Sequence, residues 1–175
     1  MDLADRYGVE PFRYFLMAEM ILGQDAAFSE EAFIRRYNTD LANDLGNLLS
    51  RIMKMIGTYT GGQIPVPGPM GAEEEEIRQA ALEAARTLPS AIQTMRLELV
   101  FTATAATLRV ANRYLEKKQP WTLAKKKDLV GLGTVLYCTA ETLRLISGIL
   151  YPVMPQKMTL LRQTLGLGSQ APSAD

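Results

Sequence analysis

The residues of this sequence best suited to chemistry surround its one tryptophan. Trp121 follows a proline in the run KKQPWTLAKKK, with Lys117, Lys118, Lys125, Lys126 and Lys127 on either side. An aromatic ring among ammonium groups suits an unpaired nucleobase, because the ring stacks on the base while the amines neutralise phosphates. A plainer reading is that Trp121 plugs the end of a helical domain and the lysines are merely solvated; composition leaves both open. A second pair is Asn47 and Arg51, four residues apart and so on one face of a helix. An amide both donates and accepts, and a guanidinium offers a planar fork of donors. Together they suit the edges of a base splayed out of a loop. Taken alone, the pair is an ordinary polar flank, with Arg51 bonded to Asp44 or a glutamate.

Other chemistries find little here. The 175 residues include no histidine, which removes the commonest general base and metal ligand. With a single cysteine as well, the usual structural zinc sites are excluded. No GxGxxG or Walker-type glycine loop is present. The carboxylates, lysines, tyrosines and serines form no recognisable catalytic cluster, so no catalytic residue and no metal site are assigned. Nineteen basic side chains balance nineteen acidic ones. That argues against a generally basic nucleic-acid protein but leaves room for a local basic patch. Lone Cys138 suits a reducing compartment. No run of about 18 apolar residues suggests a membrane span, and the N-terminus is acidic and polar where a signal peptide would be basic and then apolar. The cytoplasm is the expected location.

The elements that must position these residues are helices. A short helix ends at Tyr7-Gly8, and a second covers Val9 to about Met20. Ser29 caps a long helix, backed by Glu30 and Glu31, that runs to about Ile56 and stops at Gly57. Leu41, Leu45, Leu48 and Ile52 form its inner stripe, flanked by a polar stripe of Asp40, Asp44, Asn47, Arg51 and Lys54. A glycine- and proline-rich loop covers 57–72, and the acidic run Glu73–Glu76 opens a helix ending near Arg86. Pro89-Ser90 begins the next helix, which reaches Glu116 or Lys118. Its apolar sides, Ile92, Leu99, Ala103, Ala106 and Val110 against Leu97, Phe101, Leu108 and Leu115, predict a central helix packed on both. Asn112 is expected to brace the Pro120-Trp121 turn, which lies in a loop. Helices over 129–150 and 156–165 follow, and the tail GSQAPSAD is expected to be disordered. The sum is an all-α antiparallel helix bundle.

The stretches DRYGVEPFRYFLMAEMILGQDAAFS and YNTDLANDLGNLLSR, then NRYLEKKQPW and LYPVMPQKMTLLRQTLGL, resemble bacterial methionyl-tRNA synthetases in the same order, over nearly the whole chain. NDLGNLLSR together with N-x-Y and PW is the specific part; YG followed by RYFL is shared among several class I synthetases. The resemblance implies the anticodon-binding bundle of a class I aminoacyl-tRNA synthetase. Residues 1–28 would be a stem-contact segment joined to a catalytic domain absent from this sequence, 29–167 the anticodon-binding domain, and 168–175 the tail. Without that neighbour, Val9 to Met20 is expected to be only partly packed. The resemblance also implies that Asn47, Arg51 and Trp121 contact a CAU anticodon. Lys54, Arg113, Lys117, Lys118 and Lys125–Lys127 are candidate phosphate contacts. The partners are then tRNA and the enzyme's own catalytic domain. ATP and, in many members, zinc would belong to that domain; this chain alone carries no cofactor and no catalysis. The Lys125–Lys127 run is more basic than the family pattern. The competing readings are the bundle of a sister synthetase with another anticodon, and a stand-alone helical scaffold that binds protein.

Overall fold

The computed structural model describes residues 3–25, 28–168 and Pro172, and among them no strand occurs. Helices α1 (Leu3–Tyr7) and α2 (Val9–Glu19) come first, hinged at Gly8, whose φ of 93° favours a residue without Cβ. Next is a continuous helical rod made of α3 (Glu30–Arg36), a π-helical segment (Tyr37–Asn47) and α4 (Leu48–Thr60). Helices α5 (Ala72–Gln93), α6 (Glu98–Lys118), α7 (Pro120–Lys125), α8 (Leu129–Leu150) and α9 (Pro155–Thr164) complete the bundle. Most of the tail lies outside the described residues.

Ser29 caps the rod as expected, its Oγ accepting from the Ala32 N–H at 3.0 Å. The rod runs through Gly57 and ends at Gly61, where φ is 64°. A left-handed residue ends a helix; a glycine in helical geometry does not. The π segment widens the turn, since its bonds close over five residues rather than four. Asp40 and Leu45, five apart, are therefore both buried, while Leu41 is only half-buried. Asp40 thus leaves the polar flank assigned to it. It accepts from the Tyr14 hydroxyl (3.1 Å) and from Arg36 (3.0 Å), which also grips Glu19 at 2.6 Å. Burial, and then Asp40, push the Tyr14 phenol well above its ordinary range.

The α5–α6 hairpin departs furthest from the sequence pattern. Pro89 lies inside α5 rather than opening α6. The break falls at Met95, in the left-handed region (φ 55°). Arg96 N–H donates to the Ala91 carbonyl (2.8 Å) and Met95 N–H to Ile92 (3.2 Å), the paired closure of a Schellman motif. A proline removes one helical hydrogen bond, but fully buried Ala91, two residues on, holds the helix against its neighbours. From the turn the two helices run antiparallel: Thr107 donates to the Ala80 carbonyl (2.9 Å) and Tyr114 to Glu74 (2.8 Å). One expected side of α6 is buried as predicted, with Phe101, Leu108 and Leu115 inside and Leu97 packed on the core; on the other, Leu99 and Ala106 are exposed, and Val100, Ala105 and Ala111 take the interior beside half-buried Ala103 and Val110.

Helix α8 is the core of the bundle. It is long and apolar enough to cross a membrane by composition, yet 61% of its most apolar window is buried among its neighbours. Buried Thr139 and Thr142 return their hydroxyls to the carbonyls four residues earlier, at 2.9 and 2.8 Å, so no polar group is stranded there. Helix α2 buries Pro11, Tyr14, Phe15 and Ala18 and exposes Val9 and Met17, with Met20 exposed just past its end. The Glu10 carboxylate accepts from Gln156 (2.6 Å) and Lys157 (2.9 Å), at the positive end of α9. Phe15 and Phe33 anchor a satellite aromatic cluster with Tyr7, Phe12 and Tyr37.

Candidate nucleic-acid interface

Trp121 is not in a loop. Gln119 takes a left-handed conformation (φ 47°) that ends α6 and starts α7 in one residue, and Pro120 opens α7 with the φ a first turn needs. Pro120 is buried, and Leu123 and Ala124 pack against the core. That inward spacing turns positions 121 and 125 outward. Trp121 is 37% exposed and Lys125 is exposed beside it. Residues four apart on a helix lie about 5–6 Å apart at Cβ, so an aromatic ring and a cation stand side by side. Lys126 and Lys127 are also exposed, and none of the three lysines forms an ion pair among the described residues.

Asn47 is the last residue of the π segment, and Arg51 lies one turn into α4. Asn47 is exposed, and its amide reaches only Asn43 at 3.4 Å. Arg51 meets Glu116 at 4.0 Å, the outer limit of an ion pair. A surface pair of this kind is worth about 0–1 kcal/mol, so both groups remain open to a better partner. Glu116 sits in the last turn of α6, five residues before Trp121, so Arg51 reaches the end of α6 from which α7 starts. Asp44, the alternative partner for Arg51, faces Arg109 instead at 3.9 Å, and burial raises its carboxyl above the ordinary value.

The remaining candidate cations divide into two groups. Lys54 and Arg113 are exposed. Lys117 and Lys118 are committed to acids on the first turn of α5: Lys117 to Glu73 at 3.1 Å, Lys118 to Glu74 at 2.7 Å. Asn112 does not brace the Pro120 turn. Its amide donates to the Asp44 and Leu108 carbonyls, both at 3.0 Å, and so ties α6 to the π segment.

Glu74 is the residue that sequence reasoning missed. It is 2% exposed and accepts from the Gly71 N–H (2.8 Å), the Tyr114 hydroxyl (2.8 Å) and Lys118. Burial works against its charge, but Lys118, Tyr114 and the Gly71 N–H outweigh it and hold the carboxyl at about 2. Glu74 makes only half a capping box, because Gly71 has no side chain to return the bond, so neither this contact nor its reach to Tyr114 is marked in the sequence. The Cys138 thiol is buried and pushed up by that burial, as an inert structural thiol is. Among the described residues, no three cysteine, aspartate or glutamate side chains converge as metal ligands would.

A family model described as tRNA synthetases class I (M) matches residues 1–53. The methionine–tRNA ligase of Brucella suis biovar 1 is 40% identical over 166 residues, covering 95% of this chain and 32% of that protein. The methionine–tRNA ligase of Caldanaerobacter subterraneus subsp. tengcongensis is 42% identical over 171 residues, covering 95% of this chain and 26% of that protein. Among solved structures, Mycobacterium tuberculosis methionyl-tRNA synthetase in complex with methionyl-adenylate superposes with a TM-score of 0.90 at 34% identity, over 95% of this chain and 33% of that one. The chain spans about a quarter to a third of the length of the relatives it matches.

Proposed function

Because this chain belongs to the methionyl-tRNA synthetase family over the region it spans, we propose that it recognises the CAU anticodon of tRNA. On this reading it serves methionine attachment by a whole enzyme whose catalytic part lies outside these residues. The observation that carries the reading is the outward placement of Trp121 and Lys125 on α7, which starts from the end of α6 where Arg51 meets Glu116. Trp121 stacks on one anticodon base, Asn47 and Arg51 bond base edges, and Lys125–Lys127 meet phosphates. Lys54 and Arg113 are further phosphate contacts, whereas Lys117 and Lys118 serve mainly to fix the end of α6.

Residues 1–28 act as the stem-contact segment that joins the bundle to the catalytic part, which binds ATP and any zinc. This chain alone then carries no cofactor and catalyses nothing, and it works in the cytoplasm. The test is a titration of the chain against tRNA with a CAU anticodon and against the same tRNA with another anticodon. Tighter binding of CAU is expected. Equal binding of both would leave only general tRNA affinity, and binding of neither would favour a protein-binding scaffold, a reading that the zero net charge keeps open.

A further inference from the structure

Helix α7 has only six residues, too few to be stable alone, because helix nucleation is costly and packing must supply the order. Something outside α7 must therefore set the direction in which Trp121 points. Pro120, Leu123 and Ala124 press its inner side against the core. The other constraint enters through the chain, because α7 springs directly from the last turn of α6 through the single residue Gln119.

That last turn is held by two carboxylates of α5: exposed Lys117 pairs with Glu73 at 3.1 Å, and Glu74 makes the buried clamp. Glu74 Oε1 accepts from the Tyr114 hydroxyl at 2.8 Å and meets the Lys118 ammonium at 2.7 Å. Its Oε2 accepts from the Gly71 N–H at 2.8 Å, which fixes the carboxylate to the start of α5. Tyr114 and Lys118 are one turn apart on α6, and Lys118 lies 5.8 Å above the Tyr114 ring. Lys118 is the final residue of α6, three positions before Trp121. The network is interior rather than decorative: Glu74 is 2% and Tyr114 4% exposed.

We infer that Glu74 is a positioning residue for Trp121, fixing through Tyr114 and Lys118 the end of α6 from which the stacking ring is presented. Glu74 touches no RNA in this arrangement. The inference rests on the anticodon reading for its consequence in binding, but the positioning itself can be measured without RNA. Trp121 is the only tryptophan, so its fluorescence reports on this ring alone.

The experiment compares the 175-residue chain with its Glu74→Gln, Lys118→Met and Trp121→Ala variants, at a temperature where circular dichroism shows each fully helical. In Glu74→Gln and Lys118→Met, Trp121 is expected to show lower anisotropy and readier quenching by acrylamide. Both variants should also lose preference for the CAU anticodon by about two- to tenfold, the ordering cost of a loosened side chain. A purely structural role would lower the melting temperature and leave the ring's anisotropy unchanged in the folded state; that result would overturn the inference. Should Glu74→Gln fail to fold, Lys118→Met decides by the same two readouts, since it breaks the clamp from its partly exposed side. If anisotropy falls as expected but Trp121→Ala binds CAU tRNA like the unaltered chain, the positioning stands and the anticodon reading fails.

Discussion

At the scale of single residues, the exposed cations of the candidate site and the buried Glu74 carboxylate make separate predictions. Trp121, Lys125, Asn47 and Arg51 stand out as candidates by type and spacing, although the same pattern also fits a bundle plug and a polar flank; the structure adds that Trp121, Asn47 and Lys125 are exposed and Arg51 half-exposed. Glu74 does not stand out, because its role depends on Tyr114, 40 positions away, and on a burial that no local pattern reveals. Its environment makes a prediction about acid. The Glu74 carboxyl is held at about 2, below its ordinary 4.5. A depressed carboxyl stabilises the fold fully above its unfolded value and loses that contribution as pH falls through the folded one. The stability advantage of the unaltered chain over Glu74→Gln should therefore be at most about 3 kcal/mol near neutrality and should vanish between about pH 4.5 and 2, as urea titrations at several pH values would show. A difference that persists unchanged at pH 2 would mean that Glu74 acts by shape rather than charge. Neutralising Lys125, Lys126 and Lys127 together should weaken binding to every tRNA alike and flatten its dependence on salt, because phosphate contacts are blind to sequence. A change confined to one anticodon would place those lysines on bases.

Elements were legible where apolar spacing is regular and illegible where backbone geometry breaks the rule silently. The helix over 129–150, the Ser29 cap and the helix opening at Glu73–Glu76 follow from three- and four-residue spacing and capping residues. The π segment carries no such signal, and its wider turn moved Asp40 from flank to interior. Pro89 misled for the opposite reason: a proline usually marks a helix start, but here packing outweighs its lost hydrogen bond, and a left-handed Met95 ends the helix without a glycine. Pro89→Ala discriminates between the two placements. In the interior of α5, alanine restores the hydrogen bond and should stabilise the chain by about 1–3 kcal/mol; at a first helical position it would be neutral or harmful. The loop between α4 and α5 makes a second test. Gly68 N–H donates to Thr134 Oγ at 2.9 Å, and a Cβ on Gly68 would collide with Val130 Cγ1. Gly68→Ala should lift this strap from α8 and cost about 1–3 kcal/mol in urea unfolding. An unchanged midpoint would show that the strap yields freely.

For the whole molecule, the fold class was readable because an all-helical chain with short connections has few ways to bury its stripes, and the structure has the predicted antiparallel bundle. The meeting of Arg51 on α4 with Glu116 at the end of α6 was not readable, because packing alone brings those two elements together. The central proposal is that Trp121, an outward ring, discriminates one anticodon. The most direct test is one pair of titrations: the unaltered chain and Trp121→Ala, each against tRNA bearing CAU and against the same tRNA with another anticodon, with a melting curve of both proteins. Trp121→Ala should lose about 1–3 kcal/mol of binding to CAU, lose most of its preference for it, and melt within a degree or two of the unaltered chain. A variant that melts several degrees lower and keeps its preference would make Trp121 a plug of the bundle end and contradict the account.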